Sequence, residues 1–590
     1  MSNIKINEII SLLKQMYGYF SDRRKTQLKM LVVLTLFGSI AEIVSLGAVV
    51  PFIGILTQPE VIFKYPFISE LMVIFDIQDS DDLVIILAFF FISSAVIAGS
   101  IRLLLLWATI RVVNATGADL SISVYQKMLY QPYANHISRN SSEIITVITQ
   151  KIAAITGVLL SVVTMITSLI LLISMLSMLI FINPLISIIA IGGFGLCYLL
   201  IILTTRKKVF LNGKIIASEH TNVLKILQES NGAIRDILLD RNQEMYVNIF
   251  GKSIRELQYK NSTNTFISQA PRFLLEAFGM VLIGGLVIFL NSFSGGLSGA
   301  LPVLAALAIG AQRMLPLLQN SYANWMVVIG RTPAMIDAFD FLDKSIPKVL
   351  SDYKAFEFNN EITFTDVSFR YGEFLPWVLK DINLTIEKGS RIGIIGGTGG
   401  GKSTALDLLL GLLTPTKGDI KIDGNSIVEN DNKLKSWHRK ISHVPQNIYL
   451  IDNNITRNIA FGVPENEIDF EKVKMAALQA NLSSFILTCS DGFDTKVGER
   501  GVQLSGGQRQ RIGIARALYK GAEMIIFDEA TSALDNKTEE RVMNSIYGLS
   551  KNITIIMIAH RLTSLKNCDK IIQIENSEIV WQGPFDKVSF

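Results

Sequence analysis

The chain has 590 residues, 49% hydrophobic and 18% charged, with a mean hydropathy of +0.39, which excludes a disordered chain and a wholly water-soluble one. Its 55 Lys and Arg against 51 Asp and Glu leave a net charge of +4. That excess is too small to coat a surface for nucleic acid, so any anion binding must come from local arrangement. Cys197, Cys489 and Cys568 are odd in number and far apart. They argue against a disulfide framework or a CxxC metal site and for a reducing compartment.

Residues 4–20 carry an apolar pattern with scattered lysines, which reads either as a helix lying in the inner membrane interface or as an amphipathic helix packed on protein. We assign residues 1–25 to this N-terminal helix. Arg23, Arg24 and Lys25 precede a long apolar stretch, and no small-residue cleavage site follows, so the stretch is expected to be retained as a span. Six apolar stretches, each near the roughly 20 residues needed to cross a hydrocarbon core as a helix, run over residues 31–56, 83–107, 154–180, 185–203, 273–293 and 301–318. Basic residues lie before the first stretch and after the fourth (Arg206, Lys207, Lys208), whereas the loop after the first is acidic. This asymmetry predicts a multi-pass protein of the cell membrane with both termini cytoplasmic. The long polar connections between the second and third and between the fourth and fifth stretches are expected to extend the helices into the cytoplasm. In the outer loop, residues 61–75 are apolar and aromatic, which favours an external amphipathic helix over a prolonged first span.

The chain changes character near Ile346. Apolar runs shorten to five or six residues and alternate with helical patterns, as in an α/β domain. The expected domains are therefore 26–345, membrane helices with cytoplasmic extensions, and 346–590, a nucleotide-binding domain. Within the second, Gly396, Gly397, Thr398, Gly399, Gly400, Gly401, Lys402 and Ser403 follow a short apolar run and open an apolar helix that continues through Thr404. This is the phosphate-loop pattern in its required context. Glycines let backbone N–H groups turn around phosphates, the helix N-terminus adds positive potential, Lys402 supplies a point charge and Ser403 an oxygen for Mg²⁺. Residues 524–529 form an apolar strand ending in Asp528 and Glu529. Asp528 suits the Mg²⁺ site opposite Ser403, and Glu529 suits the base that orients the attacking water of ATP hydrolysis. The predicted fold class is thus an α-helical six-span transmembrane domain followed by an α/β P-loop ATPase domain.

Between these motifs lies Leu504-Ser505-Gly506-Gly507-Gln508, which resembles the signature of ATP-binding cassette proteins. That family uses Ser505, Gly506, Gly507 and Gln508 of such a motif on the γ-phosphate held by the other subunit's phosphate loop, so the resemblance implies a dimer, most simply a homodimer. Other positions match the family as well. Tyr371 is placed like the aromatic that stacks on adenine, and Gln446 resembles the glutamine that reaches Mg²⁺ and the attacking water. Residues 532–535 resemble the D-loop, and His560 the switch histidine that contacts the γ-phosphate. Residues 497–501 resemble the segment that meets the cytoplasmic helix ends in exporters. The resemblance covers about 361–587 and implies ATP and Mg²⁺ as cofactors.

Six spans ahead of one cassette resemble the type IV exporter fold, which implies coupling helices near residues 138–145 and 229–239. Importer permeases are usually separate chains. A soluble cassette ATPase is excluded by the spans, and a channel regulator with a dead site is disfavoured by Glu529 and the intact signature. For the cargo, Arg102, Arg272 and Arg313 fall within or at the edge of spans. Charges there either line a cavity or find partners, and Glu276, Glu42 or the inner interface are the alternatives. A cationic cavity suggests an anionic, lipid-linked amphiphile. Ala270-Pro271-Arg272 with Leu275-Glu276, Arg313-Met314-Leu315-Pro316 and residues 444–450 resemble the bacterial flippases of polyprenyl-diphosphate-linked oligosaccharides. An exporter of another lipid, a peptide or a hydrophobic drug is the alternative; no peptidase domain is expected before the first span.

Overall fold

The structure, a computed structural model, describes residues 6–49, 52, 55, 80–138, 140–182, 184–291, 296–345, 357–427, 431–530, 536–548, 552–559 and 562–587. The chain forms two compact units, Met1–Gln131 with Arg139–Ile346, and Pro132–Ser138 with Pro347–Phe590. The expected helix at 61–75 and the change of character at Ile346 lie outside the described residues.

Six long helices make up the first unit: Asp22–Gly47, Ser80–Leu129, Ile152–Ile182, Pro184–Gly232, Gln243–Asn291 and Gly296–Leu342. Four of them contain one of the apolar stretches whole, and Asp22–Gly47 and Gln243–Asn291 contain the larger part of theirs. A helix of 49 residues such as Pro184–Gly232 is about 74 Å long at 1.5 Å per residue, more than twice the ~30 Å of a hydrocarbon core. The polar remainder therefore projects out of the bilayer. Among the described residues, Asp22–Ser45, Leu83–Leu129 and Ser141–Met178 are long and apolar enough to cross a membrane. Large apolar side chains such as Phe89, Leu103, Phe273 and Met280 are about 70% exposed, an arrangement stable only against lipid or another protein surface.

A core of Val113, Leu120, Ile155, Val158, Met326, Ile329 and Phe339 holds the helices together. The helix Ile6–Gly18 adds Ile9 and Met16 to it, while the hydroxyl of Tyr19 and the amide of Gln15 donate to the Asp343 carboxylate. One face of this N-terminal helix thus packs on protein, and Ile6, Ile10 and Tyr17 remain exposed on the other.

The helix Gln243–Asn291 contains Pro271. Proline has no N–H to give the carbonyl four residues earlier and its ring crowds that carbonyl, so Ile267 loses its helical partner. Tyr322 supplies the replacement: its hydroxyl donates to the Ile267 carbonyl at 3.0 Å. The amide of Gln319 donates to the next carbonyl, Ser268, at 2.9 Å, and Tyr198 donates to Gln319 Oε1 at 3.1 Å. The stretch around Pro271 is therefore clamped from two other helices. Tyr322→Phe keeps the ring but strands the carbonyl, and is expected to cost about 1–3 kcal/mol. This would lower the thermal midpoint of the purified protein in detergent; an unchanged midpoint would show that the clamp carries no stability.

The coupling segments differ in detail from the expectation. In place of one helix over 138–145, the chain has a short helix Tyr133–Ile137, a second over Ser141–Thr146 and a turn of π-helix at Val147–Lys151. Asn140 separates the two helices by capping, its side chain accepting from the Ser142 N–H at 3.0 Å. The segment Pro132–Ser138 groups with the second unit, an assignment that a boundary at 346 does not anticipate. Near 229–239 the long helix stops at Gly232 and a short helix Ile234–Leu239 follows, with Ile237 buried and Leu238 and Leu239 exposed.

The second unit carries two sheets. An antiparallel sheet has the order β2-β1-β4-β5, from Leu379–Glu387 (β2), Glu361–Phe369 (β1), Lys417–Ile422 (β4) and Asn425–Ser426 (β5). The larger has the order β10-β9-β3-β8-β7-β6. Its strands are Arg391–Ile395 (β3), Ile441–Val444 (β6), Met524–Asp528 (β7), Thr554–Ile558 (β8), Lys570–Glu575 (β9) and Glu578–Gly583 (β10). β9, β3, β8, β7 and β6 pair in parallel, and β10 is antiparallel to β9. Residues alternate faces along a strand, and β7 and β8 divide accordingly. Met524, Ile526, Ile556 and Ile558 join one core with Leu406, Leu408 and Leu409 of the helix Lys402–Leu409. Ile525, Phe527, Ile555 and Met557 join the other, with Ile512 and Ala515 of the helix Gly506–Lys520. Both faces are covered, which explains the continuous apolar runs.

Candidate functional site

In parallel sheets ligands bind beyond the carboxyl ends of the strands. Here β3 ends at the glycine-rich loop, β7 at Asp528 and β6 just before Gln446, while β8, lying between β3 and β7, leads toward His560. Residues far apart in the chain are thereby collected along one edge. His560 itself and residues 532–535 lie outside the described residues.

The loop's conformation depends on glycine. Gly396 has φ +145°, and a Cβ there would sit 2.0 Å from the Ile574 carbonyl oxygen. Gly401 has φ +101°, where a Cβ would lie 2.7 Å from the Val378 carbonyl oxygen, and it caps the helix Lys402–Leu409. Gly397 and Gly399, with nothing within 4 Å of an added Cβ, border open space, as does exposed Thr398. Ser403 follows Lys402 in the helix's first turn. Lys402 is buried and its Nζ donates back to the carbonyls of Gly396 at 2.8 Å and Gly397 at 2.9 Å. The ammonium is thus held inside the loop, where phosphate oxygens would compete for it.

Three carboxylates converge beyond it. Burial and adjacent Glu529 raise the Asp528 carboxyl above the ordinary range, with Lys402 pulling it back. Burial and then Asp528 push Asp407 up to about 6. Such a cluster is relieved by a cation. Among the described residues no three His, Cys, Asp or Glu side chains form a metal cage, but magnesium requires only one or two carboxylates beside phosphate oxygens and water. Asp528 and Ser403 fit that need.

Glu529 has φ +49°, a left-handed conformation costing about 1–3 kcal/mol for such a residue and concentrated at functional sites. Its N–H is fixed by the Ile558 carbonyl at 3.0 Å. Gln446 Nε2 donates to Glu529 Oε2 at 2.5 Å, bringing the two together. Tyr371 presents a half-exposed ring, set edge-on against Phe369 with centroids 5.0 Å apart, and its hydroxyl bonds Thr404 Oγ1 at 3.2 Å. Tyr133, from the segment that groups with this unit, stands beside Asp407 and Tyr371. No sequence pattern marks it, because only the fold brings it there.

Ser505 caps the helix Gly506–Lys520 with a reciprocal box. Gln508 N–H donates to Ser505 Oγ at 3.2 Å, and Ser505 N–H to Gln508 Oε1 at 2.8 Å. The arginines of this helix turn inward: Arg509 donates to the Gly501 and Leu504 carbonyls, Arg511 to Asn481 and Arg516 to Tyr449 and Asn458. Arg511 also donates to the Gly507 carbonyl at 3.3 Å, and Gly506 and Gly507 place no side chain over the first turn of the helix.

In the helical unit, Arg102 pairs with Glu42 and Arg272 with Glu276, the latter at 2.8 Å. Both arginines thus already hold a carboxylate. The side chain of Arg313 lies outside the described residues.

Helices long and apolar enough to span a bilayer, joined to a parallel-sheet P-loop domain with a second, serine-capped helix, define an ATP-driven membrane transporter. Residues 379–532 match the family model described as ABC transporter. The ATP-dependent lipid A-core flippase of Francisella novicida is 31% identical over 420 residues, 68% of this chain and 70% of that protein. The flippase of the same name from Alkalilimnicola ehrlichii is 41% identical over 222 residues, but the match spans only 37% of its length. The toxin RTX-I translocation ATP-binding protein of Actinobacillus pleuropneumoniae is 42% identical over 228 residues, 38% of this chain and 32% of that protein. A solved structure, a bacterial Atm1-family ABC exporter with ATP bound, superposes with a TM-score of 0.76 over 95% of both chains at 22% identity, and so shares the fold. The chain belongs to the ATP-binding cassette transporter family, and its cassette couples ATP hydrolysis to transport.

Proposed function

We propose that the chain is one half of a homodimeric exporter that uses ATP to move an anionic glycolipid, such as a polyprenyl-diphosphate-linked oligosaccharide, to the outer leaflet of the cell membrane. In this reading the loop 396–403 and Thr404 hold the phosphates, Tyr371 stacks on adenine, and Asp528, Ser403 and Gln446 receive Mg²⁺, which neutralises charge developing on the phosphates. Glu529 orients the attacking water, with His560 at the γ-phosphate. The dimer is supported by the sheet: the Lys402 helix and the Ser505 helix pack on opposite faces, so a partner's signature is the natural lid for each phosphate loop.

The cargo rests on one observation. The Francisella relative, which matches over both halves of the chain rather than a cassette's length, is named for a lipid. The relative named for a toxin matches over 38% of the chain. The reading is tested by reconstituting the protein in liposomes with a fluorescent lipid-linked oligosaccharide, a phospholipid and a hydrophobic drug. ATP-dependent movement of the glycolipid between leaflets supports it. Movement of the drug or phospholipid alone replaces it with the other exporter reading.

A further inference from the structure

Beneath the apolar band of the helical unit is a cavity of about 370 Å³. It is enclosed by the π-turn Val147–Lys151 with the helix it leads into, and by Pro184–Gly232, Gln243–Asn291 and Gly296–Leu342. Its charged and polar wall includes Gln150, Lys151, His220, Asn264, Thr265 and Arg331, and among the described lining residues there is no carboxylate. Lys151 is 7% exposed and is tied at 2.9 Å to Asp337, which lies outside the lining. Arg331 makes no ion pair or hydrogen bond among the described residues.

The position of Arg331 is built into the packing. Its Nη1 would lie 1.5 Å from a Cβ placed on Gly157, so the guanidinium rests on a helix surface with no room for a methyl group. Close by, Gly213 meets the Gly330 carbonyl so closely that a Cβ would come within 2.0 Å, fixing two helices backbone to backbone at the cavity wall. Arg331 is exposed to the cavity and His220 is partly buried beside it. A guanidinium open to the cavity, with no carboxylate among the described lining residues, is available to an anion that enters, and a cavity of this size has space for one.

Depth narrows the ligand. Arg331 is 13 residues beyond the sixth apolar stretch, about 20 Å along a helix, while Thr265 and Ser268 lie just before the fifth. A molecule seated here would have its polar end outside the hydrocarbon and a route for a tail into it. We propose that the cavity receives the phosphate-bearing head of the transported amphiphile before translocation, with Arg331 as a two-pronged anchor and Lys151 as a second charge. This rests on the lipid-export reading above and deepens it. The cavity is separate from Arg102 and Arg272, whose charges are already met.

Binding is measured on the full-length protein in detergent, with excess ADP filling the nucleotide sites, using farnesyl diphosphate, farnesol and inorganic diphosphate as probes. Arg331→Gln is expected to weaken farnesyl diphosphate at least about tenfold, the value of a lost charge-assisted contact, and to leave farnesol unchanged. Arg331→Lys should recover part of the loss, as a point charge without the fork. Gly157→Ala, which alters no charge but displaces the guanidinium, should weaken the same probe. Equal affinity in the parent and both weakening variants, with thermal midpoints unchanged, overturns the site. Inorganic diphosphate binding as tightly as farnesyl diphosphate, and equally dependent on Arg331, overturns the assignment to a lipid head. Glycolipid movement that Arg331→Gln leaves intact refutes the site and keeps the export reading. Arg331-dependent farnesyl diphosphate binding in a protein that moves no lipid keeps the anion site and refutes the export reading.

Discussion

Glu529→Gln is expected to bind ATP as the parent does while hydrolysing it about 10²- to 10⁴-fold more slowly, the usual weight of a positioned general base. The shape changes little. The side chain still ends beside Gln446, whose amide donates at 2.5 Å to the present carboxylate, and an amide oxygen at the same place can accept that bond. What disappears is the negative charge that draws a proton from water. The backbone at φ +49° is the same for either residue, so the fold should be unaffected. Phosphate release and retained nucleotide, measured on one preparation, separate the outcomes. Loss of ATP binding, or hydrolysis within a few-fold of the parent, would remove Glu529 from the role of base.

Mixing two inactive chains should restore hydrolysis. Lys402→Ala removes the ammonium now held by the Gly396 and Gly397 carbonyls, and Ser505→Arg removes the helix cap and fills the second cradle. Each homodimer then has two defective sites. A heterodimer has one site with both defects and one with none. Random pairing of equal amounts makes half of the dimers mixed, so about a quarter of parental sites should be intact. Hydrolysis in the mixture no higher than the average of the two variants would mean that each chain completes its own site. Because the two helices pack on opposite faces of the sheet, recovery is the expected result.

The phosphate loop and the acidic strand end were legible from sequence because each is a run of at most eight residues whose chemistry is local, whereas the signature took its meaning from the family resemblance. Gln446 and Tyr371 needed the family resemblance, since their meaning comes from strand order. The six membrane helices were legible from hydropathy, though their extensions were visible only as spacing. The coupling helix that the exporter resemblance implied near 138–145 is divided in the structure: Pro132 precedes one short helix and Asn140 caps the next, a division that position in the fold does not reveal. Of the arginines expected to line a cavity, Arg102 and Arg272 hold carboxylate partners at Glu42 and Glu276, and spacing alone left both possibilities open. The cavity around Arg331 was invisible because its wall comes from four segments spread between Thr146 and Ala334, none with a motif.

The clamp at Pro271 also constrains how the protein is made. The Ile267 carbonyl accepts from a hydroxyl 55 residues later in the chain, and it lies just before the fifth apolar stretch, where water can satisfy it until that hydroxyl arrives. While the fifth helix leaves the ribosome, that carbonyl must therefore stay in contact with water. It becomes free to settle once Tyr322 has been synthesised and the sixth helix lies alongside. The last two helices thus complete this contact only together, and a nascent chain halted between residues 291 and 322 would leave the Ile267 carbonyl to water.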